Sequence, residues 1–355
     1  MKIAMITGSN GLVGSESVRF FLKKKFKVLG IDNNLREYFF GKDGSTIWIK
    51  NENNKLKNYL NFSIDIRDKN KLEKIFKKFK NKIDCIIHAA AQPSHDWAAK
   101  EPHTDFSINA NGTLNLLEFT KKYCPKAKFI FTSTNKVYGD NPNKLPLVEK
   151  KTRFEINKKH KYYKGINETM NIDNCTHSLF GVSKASSDLM VQEYGKNLGL
   201  FTVTFRAGCI TGTNHSSAEL HGFLSYLVKK SLSKKSYNII GYKGKQVRDN
   251  IHAEDLISCF WEYYKNPKKK GEFYNIGGSR FSSCSVIEAL NLVEKIKKIK
   301  IKRKYINKAR TGDHIWWISD ISKFKKDYPK FKLNYSFQKI VKEMVKFYSP
   351  EIKEL

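Results

Sequence analysis

The sequence predicts an α/β protein, a doubly wound parallel sheet of the Rossmann type followed by a smaller mixed α/β substrate domain. Three observations carry that expectation. An apolar run at residues 2–7 passes straight into Gly8-x-x-Gly11-x-x-Gly14 and then into helical periodicity. A second apolar run, Lys27 to Ile31, ends in Asp32, eighteen residues after Gly14. Stretches of strand length then alternate with stretches of helix length as far as residue 206, the order that builds βαβ units.

The first stretch reads as strand, tight turn and helix. Gly8 suits the backbone angles of the turn, Gly11 allows the main chain to approach a pyrophosphate, and Gly14 lets the helix pack closely on the strand. Asn10 and Leu12 lie in the same turn, so the phosphates of a dinucleotide would meet amide groups at the helix N-terminus. Asp32, with Asn33 beside it, stands where an acid accepts hydrogen bonds from the adenosine ribose. Its charge favours NAD over NADP, whose 2′-phosphate it repels.

Residues 33–50 mix aromatics, Gly41, Gly44 and charges without a period, and read as a loop crossing the nucleotide site. Residues 61–66 form a short strand ending at Asp65 and Ile66, which are placed to meet an adenine, and a lysine-rich helix follows around 69–80. The buried strand Ile83 to His88 leads into Ala89-Ala90-Ala91, small enough for backbone to lie against a dinucleotide. Residues 102–123 follow a 3.6-residue period interrupted by Asn109 and Gly112. The strand Lys128 to Thr132 delivers Ser133-Thr134-Asn135 at the carboxyl end of a parallel strand, where ligands bind. Residues 140–175 are polar and irregular, residues 178–198 form a helix carrying Ser183 and Lys184, and Phe201 to Arg206 is a further strand. The domains expected are 1–206 for the dinucleotide and 207–355 mainly for substrate, with one segment of the latter returning to the first sheet.

Composition narrows the function classes. The formal charge is +32, yet only nine of the 66 basic residues are arginine and the lysines are scattered along the chain. No basic stripe interleaved with aromatics is visible, so no nucleic-acid partner is expected, only a mild attraction for anionic substrates. The six cysteines form no Cys-x-x-Cys pair and several lie in apolar runs, which fits a reduced, cytoplasmic protein. A strand beginning at residue 2 leaves no room for a signal peptide, no apolar run reaches membrane-spanning length, and no metal site is expected.

Taken together, these residues resemble a family. Gly8-x-x-Gly11-x-x-Gly14, Asp32, Asp65-Ile66, His88-Ala89-Ala90-Ala91, Asn109-x-x-Gly112-Thr113, Val137-Tyr138-Gly139, Phe180-x-x-x-Lys184, Arg248-Asp249 and His252-x-x-Asp255-Leu256 occur in the order found in the extended short-chain dehydrogenase/reductase family of nucleotide-sugar epimerases and dehydratases. Ser133 to Asp140 and Gly244 to Asp249 are most similar to members acting on carbon 2 of CDP-sugars. The resemblance implies NAD as cofactor, a nucleotide diphosphate sugar (CDP-sugar favoured) as substrate, a role in cell-surface polysaccharide biosynthesis, and a homodimer joined through helices 102–123 and 178–198. It implies that Thr134 bonds the sugar hydroxyl being oxidised, that Lys184 holds the nicotinamide ribose and tunes a neighbouring phenol, and that Arg248 and Arg310 contact the diphosphate, with Asn135 in the substrate site.

One departure stands out: the family's catalytic tyrosine, four residues before the lysine, is Phe180 here. A phenyl ring has no proton to exchange. Candidates for the missing base are His177, Tyr162 or Tyr163 in the long polar segment, and His95, which could also face the sugar. Besides an epimerase, a net dehydrogenase or dehydratase on a similar substrate and a non-catalytic nucleotide-sugar binding protein remain open at this stage.

Overall fold

A computed structural model describes residues 1–218, 221–233, 235–309 and 312–349. The chain divides into two compact units, the first made of residues 1–137, 178–206 and 257–274 and the second of 138–177, 207–256 and 275–355.

The first unit holds the expected sheet. Strands β1 (Ile3–Thr7), β2 (Lys27–Ile31), β3 (Tyr59–Phe62), β4 (Ile83–His88) and β5 (Lys128–Thr134) pair in parallel in the spatial order 5-4-1-2-3. Phe201–Ala207 and Glu272–Ile276 extend the sheet beyond β5. Every residue of β1 is buried, as a strand with helices on both faces requires. Around it lie α1 (Leu12–Lys23), α2 (Leu35–Phe40), α3 (Ile47–Asn54), α4 (Lys69–Phe79), α5 (His95–Lys100), α6 (Pro102–Phe106), α7 (Gly112–Tyr123) and α8 (Leu179–Lys196). One layer of the core joins Met5, Leu29, Leu72, Phe76, Ile86, Leu117, Phe129 and Val191.

Three sequence expectations need correcting. Residues 33–50 are not a plain loop but carry α2 and the start of α3. Their organiser is Asn34, whose Oδ1 accepts from the Thr46 amide at 2.8 Å and whose Nδ2 donates to Glu37 at 2.6 Å. Such bonds leave no periodic trace. Helix 102–123 is broken at Ser107–Asn111 by a π-helical turn. Residues 138–177, expected in the first domain, cluster with the second unit, to which backbone bonds such as Ile166 to Ile318 (2.7 Å) tie them.

The second unit is built on Val247–His252, which pairs antiparallel with Ser283–Ser285 and parallel with Trp316–Trp317 and Cys209–Thr211. Tyr237–Ile240 and Arg303–Ile306 form a separate parallel pair, and Leu147–Glu149 with Phe154–Ile156 a small hairpin. Leu227, Val228, Ile239, Leu290, Val293, Ile340, Val341 and Met344 make its core. Among the described residues no helix is long and apolar enough to cross a membrane, and none of the six cysteines forms a disulfide.

Candidate active site

The turn between β1 and α1 is closed by backbone bonds, and the side chains of Asp32, Asn53 and Tyr59 bond its Asn10 and Ser9. Gly8 has φ +68°, its amide donates to Ile31 O at 2.8 Å, and the Gly11 amide closes the turn on Gly8 O at 2.9 Å. A side chain at Gly14 would put its Cβ 1.9 Å from Gly8 O, and one at Gly8 would lie 2.8 Å from Ala90 N. At Gly11 the nearest atom would be 3.3 Å away. The tightness therefore belongs to the packing of α1 and of Ala89-Ala90 on the turn. Gly11 caps α1 without any side-chain hydrogen bond, and Leu12 is the first helical residue, so the leading amides of a twelve-residue helix have no capping oxygen from this chain. A dinucleotide pyrophosphate fits that donor set.

Asp32 sits at the end of β2 with one carboxylate oxygen accepting from the Asn10 amide at 3.0 Å and the other from the Asn34 amide at 2.8 Å. Burial raises its pKa and those two amides oppose the rise. A carboxylate has about four acceptor positions, so two bonds to the turn leave capacity for ribose hydroxyls. Lys50 and Arg36 are cations acting on this carboxylate, and Arg36 is pushed down to about 10 by burial with Asp32 countering.

Other residues expected at the cofactor make contacts within the protein. Asp65 is clamped by Arg67 through bonds of 3.0 and 2.7 Å and takes the Asn33 amide nitrogen at 2.9 Å. The Ile66 side chain is only 5% exposed and packs over Gly112, where a Cβ would meet it at 2.5 Å. It belongs to the core. Asn109, on the π-helical turn, bonds Gln92 N and O, Asp105 and Ser183, all within 3.1 Å. Ala91 follows Ala89 and Ala90 out of β4.

At the carboxyl end of β5, the Thr134 hydroxyl accepts from the Lys136 amide at 3.2 Å and lies 3.4 Å from the buried Asn135 side chain. Lys184 on α8 reaches the same strand, donating to Thr132 O at 2.9 Å, with its ammonium 4.1 Å from the centroid of the Phe131 ring. Burial pushes Lys184 down to about 7, against the pull of Asp188 and Asp105. Asp188 is itself paired with Arg206 at 2.8 Å and accepts from Ser133 at 2.6 Å.

Phe180, the second residue of α8, is 6% exposed. The His95 ring stands edge-on to it at 5.1 Å between centroids, and His95 Nδ1 lies 2.6 Å from Ser178 Oγ. Ser178 caps α8 by accepting from the Gly181 amide at 3.1 Å. The sequence reading missed Ser178, although a serine directly before a helical period is an N-cap signal.

The remaining candidates belong to the second unit. His177 Nε2 contacts Ile172 O at 2.9 Å and Cys175 Sγ at 3.3 Å, while its Nδ1 is buried with no hydrogen-bond partner. Tyr162 is 5% exposed, and the Tyr163 ring lies 3.9 Å beneath the Arg280 guanidinium. Arg248 donates to Val247 O at 2.9 Å and faces Asp313 at 3.7 Å. Next to it, Asp249 is raised to about 6 by burial, opposed by bonds from Ser319 and Ser279. Arg310 lies outside the described residues.

Comparison with known proteins agrees with this geometry. The model of the NAD dependent epimerase/dehydratase family matches residues 4–277. CDP-paratose 2-epimerase of Salmonella typhi is 32% identical over 325 residues, spanning 90% of this chain and 91% of that one. dTDP-glucose 4,6-dehydratase of Salmonella typhimurium is 28% identical over 316 residues, spanning 82% and 78%. Among solved structures, the UDP-glucose 4-epimerase of Thermus thermophilus in complex with NAD superposes with a TM-score of 0.78 over 99% of this chain and 100% of that one, at 22% identity, a likeness of fold. With the glycine turn, Asp32 and the doubly wound sheet in place, the chain belongs to the NAD-dependent epimerase/dehydratase family.

Proposed function

We propose that this enzyme is a nucleotide-diphosphate-sugar epimerase that oxidises one sugar carbon to a ketone and reduces it again from the opposite face. The observation that carries the reading is the joint retention of the glycine turn with Asp32, for a dinucleotide, and of Thr134 with Lys184 at the end of β5, for an alcohol under oxidation. Bound NAD supplies the hydride acceptor and donor. Asp32 selects it over NADP, the α1 amides hold its pyrophosphate, and Lys184 holds its nicotinamide ribose. Thr134 steadies the oxygen of the reacting carbon as charge develops on it. Arg248 and Arg310 take the diphosphate, whose paired oxygens match a guanidinium fork.

The 32% relative favours a CDP-sugar and carbon 2. The same reading makes the protein a cytoplasmic homodimer joined through α7 and α8, whose Leu114, Val182 and Leu189 are exposed, and gives it a role in cell-surface polysaccharide biosynthesis. Mass spectrometry of the small molecules that co-purify, followed by incubation with CDP-, GDP-, UDP- and dTDP-sugars, tests it. An epimerised sugar with no net NADH is the expected result. Release of a keto sugar would favour the dehydratase or dehydrogenase reading, and binding of a nucleotide sugar without any hydride transfer would favour a non-catalytic binding protein, which Phe180 by itself suggests.

A further inference from the structure

Oxidising a secondary alcohol removes a hydride from carbon and a proton from oxygen, and re-reduction returns both. The epimerase reading therefore needs a group that accepts and gives back a proton, and Phe180 is unable to do either. The titratable side chains of the first unit around α8 and the ends of β4 and β5 include His88, Asp105, Lys184, Asp188 and His95.

Four of them are buried and bonded in the interior of the unit. His88 is 1% exposed and strung between Thr7 Oγ1 at 2.7 Å and Thr113 Oγ1 at 2.9 Å. Burial holds its pKa well below the ordinary range, so it stays neutral. Asp105, also 1% exposed, bonds Gln92 at 2.7 Å and Asn109 at 3.0 Å. Asp188 is fully buried against Arg206. Lys184 Nζ is tied to Thr132 O, and the family role spends it on the ribose.

His95, half-buried at the start of α5, differs in place. Its ring meets Phe180 edge to face, on the ring that stands where the family's phenol would be. Its Nδ1 is fixed by Ser178, and Ser178 is fixed in turn by the Gly181 amide at the start of α8. We propose that His95 is the proton-transfer residue of this enzyme and that Ser178 positions it.

The hydroxyl suits that task. Ser178 Oγ has two acceptor positions, and Gly181 uses one. The other accepts Nδ1–H both from the neutral ring whose Nε2 is unprotonated and from the imidazolium, so the ring keeps one orientation through a full proton cycle. In the oxidising half, the C–H electron pair leaves as hydride to the nicotinamide, which is reduced. The sugar O–H proton passes to Nε2, and the pair left on oxygen closes the C=O bond. In the second half Nε2–H returns its proton to that oxygen as hydride comes back to carbon. Imidazole exchanges protons near neutrality without any phenol.

The inference rests on the epimerase reading, and the experiment separates the two. Turnover of the nucleotide sugars and their dissociation constants are measured for the unmodified protein, His95→Gln, Ser178→Ala and Ser178→Thr. In parallel, ¹⁵N-histidine spectra of the full chain without ligands are recorded, the His95 signal being assigned by its loss in His95→Gln. Expected is a fall in kcat of at least about a hundredfold in His95→Gln, with nucleotide-sugar affinity kept within about threefold. Ser178→Ala is expected to lower kcat about tenfold and to move the His95 nitrogen shifts, and Ser178→Thr to restore both. Turnover by His95→Gln at the level of the unmodified protein, or a His95 signal indifferent to Ser178→Ala, overturns the assignment while the epimerase reading stands. Absence of hydride transfer by the unmodified protein on every sugar overturns both.

Discussion

The turn between β1 and α1 and the start of α8 are both parts of the first unit, yet they are built by opposite means. The glycine turn is set by backbone against backbone, with Gly14 so close to Gly8 O that no side chain fits. The start of α8 is set by side chain against side chain, with His95 held between Ser178 Oγ and the Phe180 ring. Binding a dinucleotide asks only for amides and space, so the first arrangement tolerates no substitution at its tightest point. Proton transfer asks for one titratable atom at one position, which more than one residue type can deliver. The loss of a phenol can accordingly be met by an imidazole from another element, whereas a lost glycine has no substitute.

Substitution at the tight point breaks this comparison most severely. In Gly14→Ala, backbone has to move, because the atoms met at 1.9, 2.6 and 2.7 Å belong to Gly8 and Ser9 main chain. Overpacking of this kind costs roughly 1–3 kcal/mol or more, and here the whole strain falls on the phosphate site. NAD affinity measured by calorimetry is expected to drop at least about a hundredfold. Gly11→Ala, with its nearest protein atom at 3.3 Å, is expected to strain the turn far less and to lose NAD only through the pyrophosphate approach that Gly11 permits. Equal losses of Tm in the two variants would show that helix packing does not set the turn.

Lys184 gives the next largest effect, and its sign depends on pH. Its pKa falls from 10.5 to about 7 on folding because burial penalises the ammonium. Between those values the unfolded chain carries a proton that the native state lacks, so the cost of burying this lysine is full below about pH 7 and is relieved as pH rises toward 10.5. Lys184→Met is expected to raise Tm by about 5 °C at about pH 6, a gain that shrinks steadily above about pH 7, while NAD binding weakens at every pH. Calorimetric melting across that range decides it, and a gain independent of pH would mean that packing and not charge is at stake.

The same contrast explains what could be read in the sequence. Gly8, Gly11, Gly14 and Asp32 reveal the dinucleotide turn because backbone constraints act on residue type at fixed spacing. The strands Ile3–Thr7, Lys27–Ile31 and Ile83–His88 are legible as apolar runs between helical ones, whereas the strand expected at 61–66 is Tyr59–Phe62 and Glu272–Ile276 was not foreseen as a strand. What escaped depends on contacts between distant positions. The helices after Asp32 form around bonds from Asn34 to Glu37 and Thr46. Ile66, placed in the sequence to meet an adenine, packs its side chain over Gly112. His95 and Ser178 are 83 residues apart and meet only through the fold. Residues 138–177 give no local sign of the unit to which they belong.

Asp32 tests the binding side more gently, since it adds selectivity to a turn that glycine already shapes. Asp32→Ala removes the acceptor for the ribose and frees the Asn10 and Asn34 amides. A charge-assisted bond is worth about 1.5–3 kcal/mol, so NAD affinity is expected to fall at least about tenfold and the margin over NADP to narrow. An unmodified protein that binds NAD and NADP equally would refute the role assigned to Asp32.

Phe180→Tyr is expected to have the smallest effect, and its sign is the informative part. If His95 carries the proton, the new hydroxyl enters a nearly buried position beside a site that works without it, and its imperfect satisfaction costs about 1 kcal/mol. Turnover then drops by about fivefold. If the protein had simply lost its base, Lys184 would lower the pKa of the new phenol and hydride transfer would appear or rise sharply. The doubly substituted protein removes the remaining ambiguity. In a His95→Gln background the phenol has a vacancy to fill, so Phe180→Tyr should raise turnover there while lowering it in the unmodified protein. A rise in both backgrounds would return the proton to the phenol's position and leave His95 a packing residue, and a fall in both would place the proton on neither group.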